Sequence, residues 1–367
     1  MRLIQLDLIR CLALILVLGR HITPCPPETN TFVWALTFVW HRGGWIGVDM
    51  FFVLSGFLVS GLLFREYEDR KVVGVTRFLI RRAFKIYPSF WVMLGATVVV
   101  KFIMEGGISR RNLIGEFFFM QNYIGAFWMH TWSLAVEEHF YILLALLTVW
   151  LFHRQQSQQK NPFALLPSIF VIVAIACFCL RLLMAVMVPY SHTTHLFATH
   201  LRIDSLLFGV LISYYWHFKK LSENTALSRH RLSLFMIGTA LLSPAFIFPL
   251  KQTRWLPVFG VTLFYIGSGA ILLALLYTHI PHSRVMIGLA KIGAFSYSIY
   301  LWHLPVLEWG IPMAEKWVGA PLNWFIYAGV YLVGSIVVGI ATAKMIEYPA
   351  LVLRDRLYPS YKLQQSS

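Results

Sequence analysis

Residues 1–22 read MRLIQLDLIRCLALILVLGRHI, an apolar run of membrane-spanning length interrupted by Asp7, Arg10, Arg20 and His21. At about 100° per residue, Arg10 and His21 fall roughly 20° apart around a helix axis and about 16 Å apart along it. Asp7 lies near the same stripe. Ionisable side chains are costly inside a bilayer, so a helix that lines them up is using them. Arg10 is a fixed cation, whereas His21 can exchange a proton near neutral pH. The interruptions, and the lack of a small-residue cleavage site after them, argue against a signal peptide.

The rest of the chain extends this reading. Of 367 residues, 58% are hydrophobic and only 13% charged, and the mean hydropathy is +0.67. Soluble domains carry about twice that charge fraction. Apolar runs recur along the chain, so the expected fold class is an all-α membrane protein. Ten transmembrane helices are expected, at 3–22, 45–64, 84–104, 132–152, 164–188, 199–216, 232–250, 257–279, 285–308 and 323–346. The stretch 112–127, NLIGEFFFMQNYIGAF, is apolar but short and broken by Glu116, Gln121 and Asn122, which suits a re-entrant or interfacial segment.

A net charge of +15 would suggest nucleic acid in a soluble protein. Here the basic residues lie in short loops, so topology accounts for them and no nucleic acid partner is expected. With the N-terminus inside, eighteen Lys and Arg fall on cytoplasmic segments. Arg2, Lys160 and Lys362 belong to that set, and only six fall on outer loops. That bias places both termini in the cytoplasm of a multi-pass inner-membrane protein. The expected organisation is one transmembrane domain over 1–350 and a short cytoplasmic tail over 351–367, with the polar stretch HRQQSQQKN (153–161) as an ordinary loop. The four cysteines have no metal or redox spacing.

On this topology the ionisable residues collect at two levels. His21, Asp49, Glu137, Glu138, Arg202, Asp204 and His303 come from five helices at similar outer depth, a pattern that predicts a polar cavity. Glu137 and Tyr141 are i,i+4, and Ser296, Tyr300 and His303 form one stripe. At the inner face, RRAFKIYPSFW (81–91) sets Arg81, Arg82 and Lys85 at the mouth of a span. Arg82 and Lys85 are spaced for phosphate oxygens, and equally for ordinary positive-inside anchoring. A basic inner site, a His/Glu outer cavity and a helix joining the two depths suggest group transfer across the bilayer. In that scheme His21 is a general base oriented by a carboxylate, and Arg10 holds a carbonyl or phosphate between the levels. Arg20 either tunes His21 by charge repulsion or faces the headgroups.

At these residues the chain resembles the acyltransferase 3 family of membrane O-acyltransferases. Arg10 to His21 matches its Arg-x10-His element. GVDMFFVLSGFLVS (47–60), RRAFKIYPSFW (81–91), WSLAVEEHFY (132–141), RIDSLLFG (202–209), SYSIYLWHLPV (296–306) and IEYPA (346–350) match later blocks in order. The resemblance implies a cytoplasmic acyl-CoA, usually acetyl-CoA, as co-substrate, with no permanently bound cofactor and no metal. It implies transfer to a sugar hydroxyl of a surface polysaccharide, lipopolysaccharide or lipid-linked glycan. His21 would be the catalytic base with Arg10 and Glu137, and Arg81, Arg82 and Lys85 would form the donor site. Asp49, Glu138, Arg202, Asp204, Tyr300 and His303 would line the acceptor cavity. Lys85 stands where the family has a second Arg, keeping the charge but losing the bidentate fork. The twenty or so residues after the last span are too few for the hydrolase-like domain that some relatives append. Two other readings stay open: a transporter or flippase for a lipid-linked sugar or charged solute, and an acyltransferase acting on a small molecule.

Overall fold

The computed structural model describes residues 3–154 and 161–359. Arg2, Lys160 and Lys362, most of the 153–161 linker and residues 360–367 lie outside the described residues. Among the described residues seventeen α-helices follow in order: α1 (Ile4–His21), α2 (Thr31–Gly43), α3 (Gly47–Arg70), α4 (Val75–Glu105), α5 (Arg110–Phe117) and α6 (Trp132–Arg154). Next come α7 (Leu166–Met187), α8 (Ile203–Phe218), α9 (Thr225–Arg229), α10 (Arg231–Leu242), α11 (Pro244–Ile247) and α12 (Val261–Leu276). The last five are α13 (Arg284–Ala294), α14 (Ser296–Pro305), α15 (Ile311–Val318), α16 (Trp324–Thr342) and α17 (Tyr348–Leu357). Among the described residues there is no β-strand. All backbone polar groups that face lipid must be satisfied within their own segment, which apolar helices achieve.

Among the described residues, six helical stretches are long and apolar enough to cross a membrane, or seven if Arg284–Ala294 and Ser296–Val318 make one span. The other expected spans are helical but shorter or more charged. Helix α1 carries Asp7, Arg10 and Arg20 within 18 residues, α8 has 16 residues, and α10 and α11 have 12 and 4. Within the stretch expected to be re-entrant, α5 has 8 residues, about 12 Å of helix and too short to span.

The chain divides into two compact units, Met1–Val72 with Arg154–Ser296, and Val73–His153 with Tyr297–Ser367. In the first, α3 and α8 meet backbone to backbone. A Cβ built on Gly56 would lie 1.9 Å from the Leu206 carbonyl oxygen, and one on Gly209 would lie 2.0 Å from that of Val53. The same device seats α13 on α1, where a Cβ on Gly293 would fall 1.8 Å from the Asp7 oxygen. Small residues at such crossings are how membrane helices pack without a hydrophobic driving force. In the second unit the long helix α4 carries Pro88 in its interior. The loop after α5 is pinned by the buried Glu116 carboxylate, whose Oε1 accepts from Phe127 N (3.1 Å), Trp128 N (3.3 Å) and Thr131 Oγ1 (3.0 Å). The Trp128 indole in turn donates to Thr97 Oγ1 on α4 at 2.8 Å.

Candidate active site

In the first unit, α1 holds its two chemical groups about three turns apart, with Arg10 inside the helix and His21 at its end. The Arg10 guanidinium donates to Asp7 Oδ1 at 2.8 Å, one turn back on the same stripe. The i,i+3 spacing makes this pair local and automatic once the helix forms. Arg10 is therefore a positioned, charge-balanced donor. His21 closes the last turn of α1 and is partly exposed. The helical rise separates the two by about 16 Å, so they cannot share one reacting atom.

Asp49, Arg202 and Asp204, expected to line the acceptor cavity, are held in a buried ionic network that includes a fourth member. Arg202 donates to Asp49 Oδ1 at 2.6 Å, with both side chains no more than 1% exposed. Arg181 pairs with Asp204 Oδ2 at 2.8 Å, equally buried. Arg181 also donates to the Leu201 carbonyl (2.8 Å) and Thr262 Oγ1 (3.0 Å). Two acids and two guanidinium groups balance in charge, which is what allows four ions to stand inside an apolar bundle. Arg181 escaped the sequence reading because it lies inside a continuous apolar run, α7, with no polar neighbour in the helical period.

In the second unit, two polar clusters form. In one, Lys85 makes a charge-assisted hydrogen bond to Glu347 Oε1. Ser298 donates to Glu347 Oε2 at 2.7 Å, and the Lys85 ammonium lies 5.7 Å over the Tyr297 ring. Arg82 lies 5.7 Å over the ring of Tyr141, whose hydroxyl donates to Glu137 Oε2 at 2.5 Å. Arg81 is engaged elsewhere, with Asp355 at 3.0 Å and the Tyr358 carbonyl. So Arg82 and Lys85 share one neighbourhood of aromatic rings and carboxylates, whereas Arg81 ties α4 to α17. Glu138 accepts from the Tyr87 hydroxyl.

The other cluster joins α6 to α14. Tyr300 OH lies 2.7 Å from Ser133 Oγ and donates to the His130 carbonyl at 2.7 Å. His130 Nε2 is 3.2 Å from the Leu301 carbonyl, and the His130 and His303 rings stand edge to face at 4.9 Å. All four side chains are buried. Sequence reading selected Tyr300 and His303 from their stripe. It missed Ser133 and His130, which precede and open α6 and gain meaning only when α14 is packed against them.

An all-helical chain with charged, hydrogen-bonded clusters set into apolar helices defines a polytopic protein built for chemistry on polar groups at the membrane. Residues 3–344 match the acyltransferase domain, and the chain belongs to the acyltransferase 3 family. It is similar to the peptidoglycan O-acetyltransferase OatA of Listeria monocytogenes, 28% identical over 335 residues, 85% of this chain and 50% of that protein. It is also similar to the O-acetyltransferase OatA of Staphylococcus aureus, 28% identical over 300 residues, 75% of this chain and 48% of that protein. The chain thus spans about half the length of the curated relatives it matches. No solved structure matches it.

Proposed function

We propose that this protein is an integral membrane O-acetyltransferase that moves an acetyl group from cytoplasmic acetyl-CoA to a sugar hydroxyl of a cell-surface glycan. The observation that carries the reading is the division of labour along α1, with a charge-balanced Arg10 near Asp7 and a partly exposed His21 at the far end. His21 acts as general base and takes the proton of the acceptor hydroxyl. The hydroxyl oxygen forms the new ester bond to the acetyl carbonyl carbon, the thioester C–S bond breaks, and CoA leaves as the thiol once the proton is returned. Arg10 supplies a fixed donor for oxygen charge on the acyl path. Arg82 and Lys85 supply cations for the donor's phosphates, with Glu347 as the counter-ion the donor must share. Ten spans with both termini in the cytoplasm put the Arg82 and Lys85 level inside and His21 outside. The name of the Listeria monocytogenes relative favours a peptidoglycan-type acceptor. Purified protein in proteoliposomes, given radiolabelled acetyl-CoA and isolated glycan, tests this. Label appears in the glycan with the wild type and is absent with His21→Ala. Equal labelling by the two proteins contradicts the assignment of the base.

A further inference from the structure

At the C-terminal end of α1 the Arg20 guanidinium has no acid beside it among the described residues. Arg20, the neighbour of His21, donates through Nη1 to the His41 carbonyl at 3.2 Å. Its Nε and Nη2 edge makes no hydrogen bond to the described residues, and among them no carboxylate forms an ion pair with it. The backbone around Arg20 is fixed. The Trp40 indole donates to the Ile15 carbonyl at 2.9 Å, the His41 ring meets the Ile22 carbonyl at 3.0 Å, and a Cβ on Gly19 would fall 1.8 Å from Trp40. Arg20 itself stays partly exposed.

The groups within electrostatic reach of Arg20 include Tyr190, His41 and His192. Tyr190 and His192 stand edge to face, with ring centroids 5.5 Å apart. Tyr190 OH and His192 Nε2 are both buried and make no hydrogen bond to the described residues. Burial first, then the charges of Arg20 and Lys251, lower the basicity of His192. It therefore stays a neutral hydrogen-bonding group while the field around it remains positive. A buried polar atom without a partner destabilises the site that holds it. Two such atoms beside a half-open guanidinium fork make a receptor for a planar oxyanion.

We infer that Arg20, with Tyr190 and His192, binds the carboxylate of an acidic acceptor glycan and so presents a neighbouring sugar hydroxyl to His21. This rests on the reading of His21 as the base, and adds to it that the acceptor is anionic. A carboxylate bridges the open edge of the Arg20 fork with charge-assisted hydrogen bonds, whereas a neutral sugar can offer that edge only hydroxyls.

The test is a binding measurement without donor, so it does not depend on turnover. The full chain in phosphatidylcholine nanodiscs is titrated with methyl glucuronide and with methyl glucoside. Wild-type protein prefers the glucuronide by at least about tenfold. R20Q removes that preference, R20K keeps part of it because the charge survives without the fork, and Y190F weakens it severalfold. Equal affinity for the two sugars in the wild type, or an undiminished preference in R20Q, overturns the inference. Loss of glucuronide binding in discs containing phosphatidylglycerol assigns the oxyanion site to a lipid headgroup and overturns it too. A retained glucuronide preference in a protein that fails to acetylate glycan counts against the His21 reading alone.

Discussion

Lys85 and Glu347, 262 positions apart, are joined by a charge-assisted hydrogen bond, and Ser298 secures the second carboxylate oxygen at 2.7 Å. Glu347 is 5% exposed, so its carboxylate is held by these partners rather than by solvent. A phosphate approaching Lys85 therefore meets a lysine already committed, and binding becomes an exchange of one anion for another. Lysine suits such an exchange better than arginine, since its point charge has no preferred fork.

Truncating the cation in K85A strands the Glu347 carboxylate. Its destabilisation is about 2–4 kcal/mol, the range for removing one partner of a largely buried pair. E347Q leaves Lys85, partly exposed, able to reach water, and costs about half as much. Thermal unfolding of detergent-solubilised protein ranks the two. An E347Q loss equal to or larger than that of K85A contradicts the pairing.

The Asp49–Arg202 pair is closed on both sides, at no more than 1% exposure. D49A and R202A are each expected to lose about 3–5 kcal/mol. The double variant loses less than their sum, with a coupling of about 0.5–3 kcal/mol. Strict additivity in that cycle would show that the two charges do not depend on each other.

Gly56 faces the Leu206 carbonyl with room for a hydrogen only, whereas a Cβ built on Gly95 would meet no described atom within 4 Å beyond its own helix backbone. G56A pushes α3 off α8 and is expected to cost about 1–3 kcal/mol. G95A relieves a helix of a flexible residue and is neutral or stabilising by up to about 1 kcal/mol. Fluorescence-detected size exclusion after a heating series separates them.

Glu116 titrates where it can be observed. Burial raises its carboxyl from 4.5 to about 7, against the opposing hydrogen bonds from Trp128, Thr131 and Phe127. Its Oε2 is buried with no hydrogen-bond partner among the described residues and is the natural seat of the proton. Because the folded value lies above the unfolded one, the fold binds this proton more tightly than the unfolded chain does. Stability tied to Glu116 is thus full below pH 4.5, declines through the interval up to about 7, and is flat above it. The total change is on the order of 3 kcal/mol at 1.36 kcal/mol per pH unit. Hydrogen-exchange protection in 118–131, taken relative to the intrinsic exchange rate at each pH, should fall over that interval in the wild type and stay constant in E116Q.

What the sequence disclosed follows from how each feature is encoded. Helix existence and the Asp7–Arg10–His21 stripe are local and periodic, and both are legible from residues 1–22 alone. Tyr300 and His303 share that legibility, being one turn apart. The partners of these residues are not local. Arg181 meets Asp204, Lys85 meets Glu347, and Ser133 meets Tyr300 only after distant helices pack, and no spacing rule encodes such pairings. Asp49 and Arg202 were recognised as polar residues at similar depth, yet their engagement with each other reflects tertiary register. Span number was the least legible, since α8, α10 and α11 are apolar but short, and α1 is charged.

The central claim is that His21 at the end of α1 accepts the proton of a glycan hydroxyl during acetyl transfer. It is tested most directly by mass spectrometry of surface glycan from cells that lack the protein and are complemented with wild type or with H21A at equal membrane abundance. The account predicts one additional acetyl per modified repeat with the wild type and none with H21A. Glycan from H21A cells acetylated to the wild-type level would contradict it.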